Sequence, residues 1–339
     1  MTLGPSTQII TLAHGSGGRM MQELIASLFR KAFDNPALNS QDDAAELTMP
    51  GTRLAFTTDS YVVTPLFFPG GDIGKLAVCG TINDLAVKGA QPVALSASFI
   101  LEEGLEFVRL EKVVASMAQA AKEAGVSVVT GDTKVVEKGK ADGMFITTSG
   151  VGAIPEGRTV SGSLARPGDA VLVNGPLADH GIAVTNARMD FGLKGDLRSD
   201  CAALSDLVEC IFRASRRIHA MRDPTRGGVA TTLNEMASQS GVGIVLQESS
   251  IPIRPEVRAA CELLGLDPLY IASEGRVLVI VEQDDAEAVC RQMRKHPLGE
   301  AAVQIGVVVD KPKGVFLRTS IGGLRPLILL EGEQLPRIC

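Results

Sequence analysis

Five stretches of this sequence set aspartates beside small, hydroxyl or glycine residues: Ser40-Gln-Asp42-Asp43, Thr57-Thr58-Asp59-Ser60, Asn83-Asp84, Gly131-Asp132-Thr133-Lys134 and Asp223-Pro-Thr-Arg-Gly227-Gly228. Carboxylates at strand ends and loop tips suit Mg²⁺, which takes oxygen ligands and usually shares them with substrate phosphates. A lone Asp at a turn is more often a cap. Four such acids punctuating the first half, one with a glycine before it and a lysine two residues after, point to a Mg-nucleotide site. No G-x-x-x-x-G-K-[ST] run occurs, so any phosphate cradle must be built differently. Gly227 and Gly228 open a helix and leave backbone N–H groups that suit an anion, with Asp223 nearby for a metal. An ordinary capping turn is the plainer reading there. Gly15-Ser-Gly-Gly18 can form a similar nest.

Cys339 ends the chain. A prenylation box needs its cysteine four residues from the end, so this one is something else. A thiol of ordinary pKa is a few per cent thiolate at neutral pH and already nucleophilic, and here it could ride on an arm, accept a group and present it to a fixed site. Gly332 and Pro336 break the last nine residues, which span roughly 30 Å when extended. The four histidines are scattered without zinc spacing, and no G-x-S-x-G elbow occurs.

The elements that must position these residues follow from length and patterning. A chain of 339 residues, 45% apolar and 21% charged, suggests two globular domains. A net charge of −6 and only 4% aromatics argue against a nucleic-acid partner or a basic membrane patch. No stretch reads as a membrane span or a signal peptide. The six cysteines include no C-x-x-C pair and read as reduced thiols of a cytoplasmic protein, the five internal ones as core fillers.

Apolar spacing predicts helices over 20–33, 74–89, about 110–125, 201–220, 228–240, 255–264 and 284–295, and strands over 53–63, 92–101, 126–130, 143–154, 170–173, 244–246, 276–281 and 303–309. A Pro/Gly/Ser/Arg-rich break at 155–169 marks the domain boundary. The expected organisation is a glycine-rich segment and helix (1–40), a nucleotide-binding domain (41–155), a second α+β domain (166–330) and a mobile tail (331–339).

The motifs Gly70-Gly-Asp-Ile-Gly-Lys75, Gly80-Thr-Ile-Asn-Asp84-Leu-Ala86, Gly131-Asp-Thr-Lys-Val-Val136 and the ending Pro336-Arg-Ile-Cys339 resemble the HypE family of hydrogenase maturation proteins, over nearly the whole chain from His14 onward. That family belongs to the aminoimidazole ribonucleotide synthetase-like superfamily. The resemblance implies an α+β two-domain fold whose N-terminal sheets pair into a dimer barrel, followed by a C-terminal α/β sandwich and a flexible tail. It implies that HypF places a carbamoyl group on Cys339. ATP-dependent dehydration then gives a thiocyanate, and the cyano group passes to iron on HypC–HypD for a [NiFe] hydrogenase.

By the same resemblance Asp43, Asp59, Asp84, Asp132 and Asp223 are the Mg²⁺–triphosphate acids, Asn83, Gly131, Thr133, Gly227 and Gly228 contact the nucleotide, and Lys134 and Glu274 face the thiocarboxamide. The acidic turn departs from the superfamily pattern, with Ser40-Gln where a glycine usually precedes the two acids.

Among other functions, a selenophosphate synthetase would carry a reactive residue in its N-terminal glycine loop, whereas the first cysteine here is Cys79. A thiamine monophosphate kinase would explain the acids and leave Cys339 without a role. A non-catalytic thiol carrier would need neither Lys134 nor the acid array.

Overall fold

The computed structural model describes residues 9–15, 23–35, 53–189, 195–330, 335 and 337–339. Asp43, most of the Gly15–Gly18 turn and the start of the tail lie outside the described residues. Of the helix expected over 20–33, the described part is helical from 23 to 32, and Ile25–Phe29 winds as a π-helix.

Two sheets divide the chain. The first has strand order β1-β6-β4-β5 and comprises β1 (Leu54–Tyr61), β4 (Gln91–Glu102), β5 (Ser127–Val136) and β6 (Met144–Ala153). Only the β4–β5 pair is parallel. A small hairpin of β2 (Phe67–Phe68) and β3 (Gly71–Asp72) precedes helix α1 (Ile73–Val87), and α2 (Phe107–Glu123) follows β4. The N-cap Asp72 accepts from the N–H groups of Gly74 and Lys75, which fixes where α1 begins. Thirteen of the fifteen α1 residues are buried, as in a helix enclosed on nearly every side. In α2, Leu110, Val113, Val114 and Met117 have no exposure; burying each contributes about 1.5–3 kcal/mol.

These two helices cover one face of the sheet. The other face is bare in the single chain, with Phe56 at 74% exposure, Leu54 at 52% and Ile100 at 40%.

The second sheet, β13-β12-β9-β11-β7-β10-β8, is built from β7 (Ala170–Val173), β8 (Ile218–Arg222), β9 (Gly243–Gln247), β10 (Leu278–Val281), β11 (Val303–Val309), β12 (Gly314–Arg318) and β13 (Leu324–Leu327). Its helices are α3 (Asp179–Met189), α4 (Ser205–Ala214), α5 (Gly228–Ser240), α6 (Pro255–Leu264) and α7 (Ala286–Met293).

Three expectations are corrected here. The helix expected over 201–220 spans only α4, because Ser215 turns to extended backbone and the chain re-enters the sheet as β8. Strand β5 does not stop at Thr130; it pairs with β4 through Val136, so Gly131–Lys134 is strand rather than loop. Of the five internal cysteines, Cys79, Cys201, Cys261 and Cys290 are buried, whereas Cys210 is half-buried.

Helix α3 was absent from the sequence pattern. Its first seven residues are all buried, polar ones included, so no apolar stripe distinguishes it. Among the described residues no helix is long and apolar enough to cross a membrane.

Candidate functional site

A cleft of about 830 Å³ opens between the two sheets. Thr57 of β1, Asp84 and Lys88 at the end of α1, Arg222–Asp223 and Arg226 after β8, and Glu235 of α5 all line it. That volume falls within the range of nucleotide-sized pockets, about 300–1,000 Å³.

Alternation along β1 turns Thr57 and Asp59 toward α1, where the Thr57 hydroxyl donates to the Asp84 carboxylate at 2.8 Å. Burial, then the charge of Asp59, raises the Asp84 pKa, against the pull of the Thr57 bond and of Arg222 and Arg226. Burial and the neighbouring Asp84 push Asp223 up to about 7. Glu274, fully enclosed before β10, is raised well above the carboxylate range by burial and then by Asp223, Asp200 and Asp59. Its Oε1 is buried with no hydrogen-bond partner. The guanidinium of Arg226 lies 3.5 Å from Asp59.

Such a group of acids, mutually repelling and only partly offset by two arginines, fits a hard cation that takes oxygen ligands. Asp84 and Asp223 line the cleft, and Asp59 lies against Arg226, another lining residue. Among the described residues, three ligand atoms lie within 4.8 Å of one another only at Asp169–His219–Glu282, at the other end of β8. There His219 Nδ1 bonds Asp169 directly at 2.8 Å.

The remaining predicted residues divide. Asp132 and Lys134 pair with each other at 3.0 Å, both more than half exposed, on the face of β5 turned away from α1. Within one chain they do not join the acids, because the continued strand fixes their direction by alternation. Thr133 points the other way and is buried. Gly131 is a packing requirement, since a Cβ there would lie 2.2 Å from the Ala97 carbonyl oxygen.

Asn83, expected to contact the nucleotide, is fully buried and acts as a strut within this chain. Its amide donates to the carbonyls of Ala202 (3.1 Å) and Glu274 (3.2 Å), and its oxygen accepts from Leu204 N–H (2.8 Å). Gly227 is the left-handed N-cap of α5. The N–H of Gly228 donates to the Thr225 carbonyl at 2.9 Å, so one donor of the expected anion nest is already used. The φ of +59° at Gly228 brings the backbone against Leu269 and Ile271.

Sequence reasoning missed Asp200. Its carboxylate accepts from the N–H groups of Glu274 (3.1 Å) and Gly275 (3.3 Å), and so aims the Glu274 loop. Lying just before the helix expected from Cys201, it stands in none of the motifs that singled out the other acids.

The terminal segment is docked. Val62 N–H donates to the Cys339 carbonyl at 3.3 Å, three residues beyond Asp59. Ile338 is buried, and Cys339 packs on the apolar cluster that contains Cys79 and Ala272, two residues before Glu274.

Residues 41–154 match the family model "AIR synthase related protein, N-terminal domain", and residues 166–318 match the corresponding C-terminal domain. The chain is 54% identical to carbamoyl dehydratase HypE of Cupriavidus necator, over 97% of this chain and 95% of that one. A crystal structure of HypE in complex with ATP superposes with a TM-score of 0.94 at 49% identity, covering 97% of this chain and 99% of that one. HypE in a HypE–HypF complex gives 0.81 at 48%, covering 91% and 99%. With both AIR synthase-related domains present and more than half the residues shared along its length, the chain belongs to the HypE family, the carbamoyl dehydratases of hydrogenase maturation.

Proposed function

We propose that this protein uses ATP and Mg²⁺ to dehydrate a carbamoyl group carried on its own Cys339, giving an S-cyanocysteine that supplies the cyanide ligand of [NiFe]-hydrogenase iron. The observation that carries this reading is the docked terminus, which holds the Cys339 backbone beside the strand bearing Asp59 and in the cluster next to Glu274. A thiamine monophosphate kinase-like role leaves that docking without purpose. A passive carrier leaves the buried acids without purpose.

The thiocarbamate oxygen is a poor leaving group. Its attack on the γ-phosphorus releases ADP and makes phosphate the group that departs as the C–O bond breaks. Loss of both N–H protons completes C≡N. Asp59, Asp84 and Asp223 would hold Mg²⁺, which supplies charge neutralisation for the transferring phosphoryl group.

Glu274 is the proton acceptor in this reading. While the acids repel one another it keeps its own proton; neutralising Asp223 and Asp59 removes two causes of its raised pKa and leaves burial. A carboxyl still raised by burial is matched to base catalysis near neutral pH. Asn83 and Asp200 grip the backbone on either side of it.

Lys134 and Asp132 enter through a second copy. The bare face of the β1-β6-β4-β5 sheet carries both, along with Phe56 and Leu54, and pairing of two such faces would bury them in a homodimer. HypF as a partner is supported by the solved HypE–HypF complex of a homologue; its role as carbamoyl donor, and HypC–HypD as acceptor, are what the family resemblance implies.

The test is ADP formation by protein whose Cys339 has been carbamoylated. One ADP per carbamoyl group, with a loss of 18 Da at the C-terminal peptide, is the expected result (~18 Da being one water lost). Absence of ATP turnover with the carbamoylated protein would leave a carrier.

A further inference from the structure

We propose that His180 is a latch that positions the tail: through Nε2–H it grips the last internal carbonyl of the chain, that of Ile338, and so sets Cys339 against the apolar cluster beside Glu274. This inference rests on the reading above for its purpose, though not for its geometry.

The His180 side chain is fully buried on α3. Its Nε2 lies 3.0 Å from the Ile338 carbonyl oxygen, and its Nδ1 lies 2.7 Å from the Ser199 hydroxyl. A carbonyl can only accept, so Nε2 carries the proton. The Ser199 oxygen already accepts from Cys201 N–H at 3.0 Å, which leaves its own proton to donate to Nδ1. The chain Cys201 N–H, Ser199 O–H, His180 Nε2–H, Ile338 C=O therefore runs in one direction with a neutral imidazole. Phe68 meets the ring edge-on at 5.4 Å and fixes its plane.

A second grip lies nearby. Arg188, two turns on in α3, donates to the carbonyls of Thr64 (2.8 Å) and Arg337. Arg337 is held at φ +55°, a left-handed conformation unusual for a residue with a side chain, and such conformations persist only where surrounding contacts impose them. The two grips on the tail take the backbone carbonyls of Ile338 and Arg337 rather than the thiol. The site therefore holds the terminus whether Cys339 is bare or carries a small group.

The latch is also wired to the proton acceptor. Ser199 orients the ring, and the next residue, Asp200, holds the N–H groups of Glu274 and Gly275. One short segment thus sets both the tail and the Glu274 loop.

The experiment measures alkylation of Cys339 in the full-length protein by a maleimide, read by mass spectrometry of the C-terminal peptide. No ATP or carbamoyl group is involved. His180→Phe keeps the ring volume and removes the donor, and is expected to speed Cys339 modification roughly five- to tenfold, the worth of one buried hydrogen bond. His180→Gln, whose amide can donate from a similar position, should restore most of the protection. Unchanged alkylation in His180→Phe overturns the latch.

Should that variant fold poorly, Ser199→Ala leaves the imidazole in place and frees its orientation. Acceleration of two- to threefold (~0.5 kcal/mol) supports the proposal, and none overturns it. On carbamoylated protein, His180→Phe should slow dehydration while leaving carbamoylation intact. Faster alkylation with no dehydration even in the parent would keep the latch and reject the chemistry.

Discussion

Asn83 decides whether the end of α1 touches nucleotide or braces the active-site loop. Replacing it by alanine removes three buried hydrogen bonds, to Ala202, Glu274 and Leu204. The Leu204 N–H and the Ala202 carbonyl lose a partner outright. The Glu274 carbonyl keeps a long contact from Ala202 N–H at 3.4 Å. With about 1–3 kcal/mol for each of the two groups left unpaired, and about 1 kcal/mol for the third bond, the loss comes to about 3–7 kcal/mol. Urea unfolding of the ligand-free protein measures it as a lower midpoint at unchanged slope. Freed of one brace, the Glu274 loop should also lower turnover more than it raises the apparent ATP KM. A stability loss below about 1 kcal/mol, together with tenfold weaker ATP binding, would refute the strut and make Asn83 a nucleotide ligand.

Asp84→Asn should weaken Mg-ATP binding at least tenfold by calorimetry, while the Thr57 hydroxyl still finds an acceptor and folding stability is kept; unchanged affinity would remove Asp84 from the metal site. Phe56→Glu places charge at the centre of the bare sheet face and should give monomers in sedimentation, with loss of turnover if Lys134 acts across the dimer. Gly228→Ala should cost about 2–4 kcal/mol, because its Cβ would stand 2.6 Å from the Leu269 carbonyl oxygen at a φ of +59°. Asp223, at about 7 when folded against 3.8, holds a proton between those values that the unfolded chain has lost, so metal-free stability should fall as pH rises from about 4 to 7 and level off above. The three-unit shift bounds that loss at about 4 kcal/mol, less because the carboxyl is partly open to water, and Mg²⁺ at pH 8 should restore it; thermal melts showing no Mg²⁺ effect at pH 8 would contradict this.

The first sheet and its helices were legible because α2 has a clean apolar face and β1 alternates, and both patterns survive in the fold. Asp59, Asp84, Asp223 and Glu274 were singled out from sequence; Asp84 and Asp223 line the cleft, and the charges of Asp59 and Asp223 reach the buried Glu274. The direction of Asp132 and Lys134 was not legible. It depends on β5 continuing past Gly131, where a glycine packed under the Ala97 carbonyl looks like a turn. The partners of Asn83 were not legible, because they lie more than a hundred residues away. Helix α3, with His180, was invisible for a different reason: its first seven residues are buried on every side and show no periodicity.

Desolvation holds Asp84, Asp223 and Glu274 above their ordinary pKa values, and their mutual repulsion adds to it. In a protein selected only for stability such a cluster would be a defect, since apolar residues of similar volume commonly serve as well or better. On the proposed reading the cost falls on the ligand-free state and would be recovered when a cation enters, so the same charges that weaken the empty fold would strengthen binding. The tail follows the same logic on a smaller scale. A left-handed arginine and a buried imidazole hold the terminus by its backbone, firmly enough to place one sulfur and weakly enough, with roughly one hydrogen bond at each grip, to let it leave. On the proposed reading, a group loaded by one protein, converted on this one and handed to another needs that balance, and a tighter clasp would stall the handover.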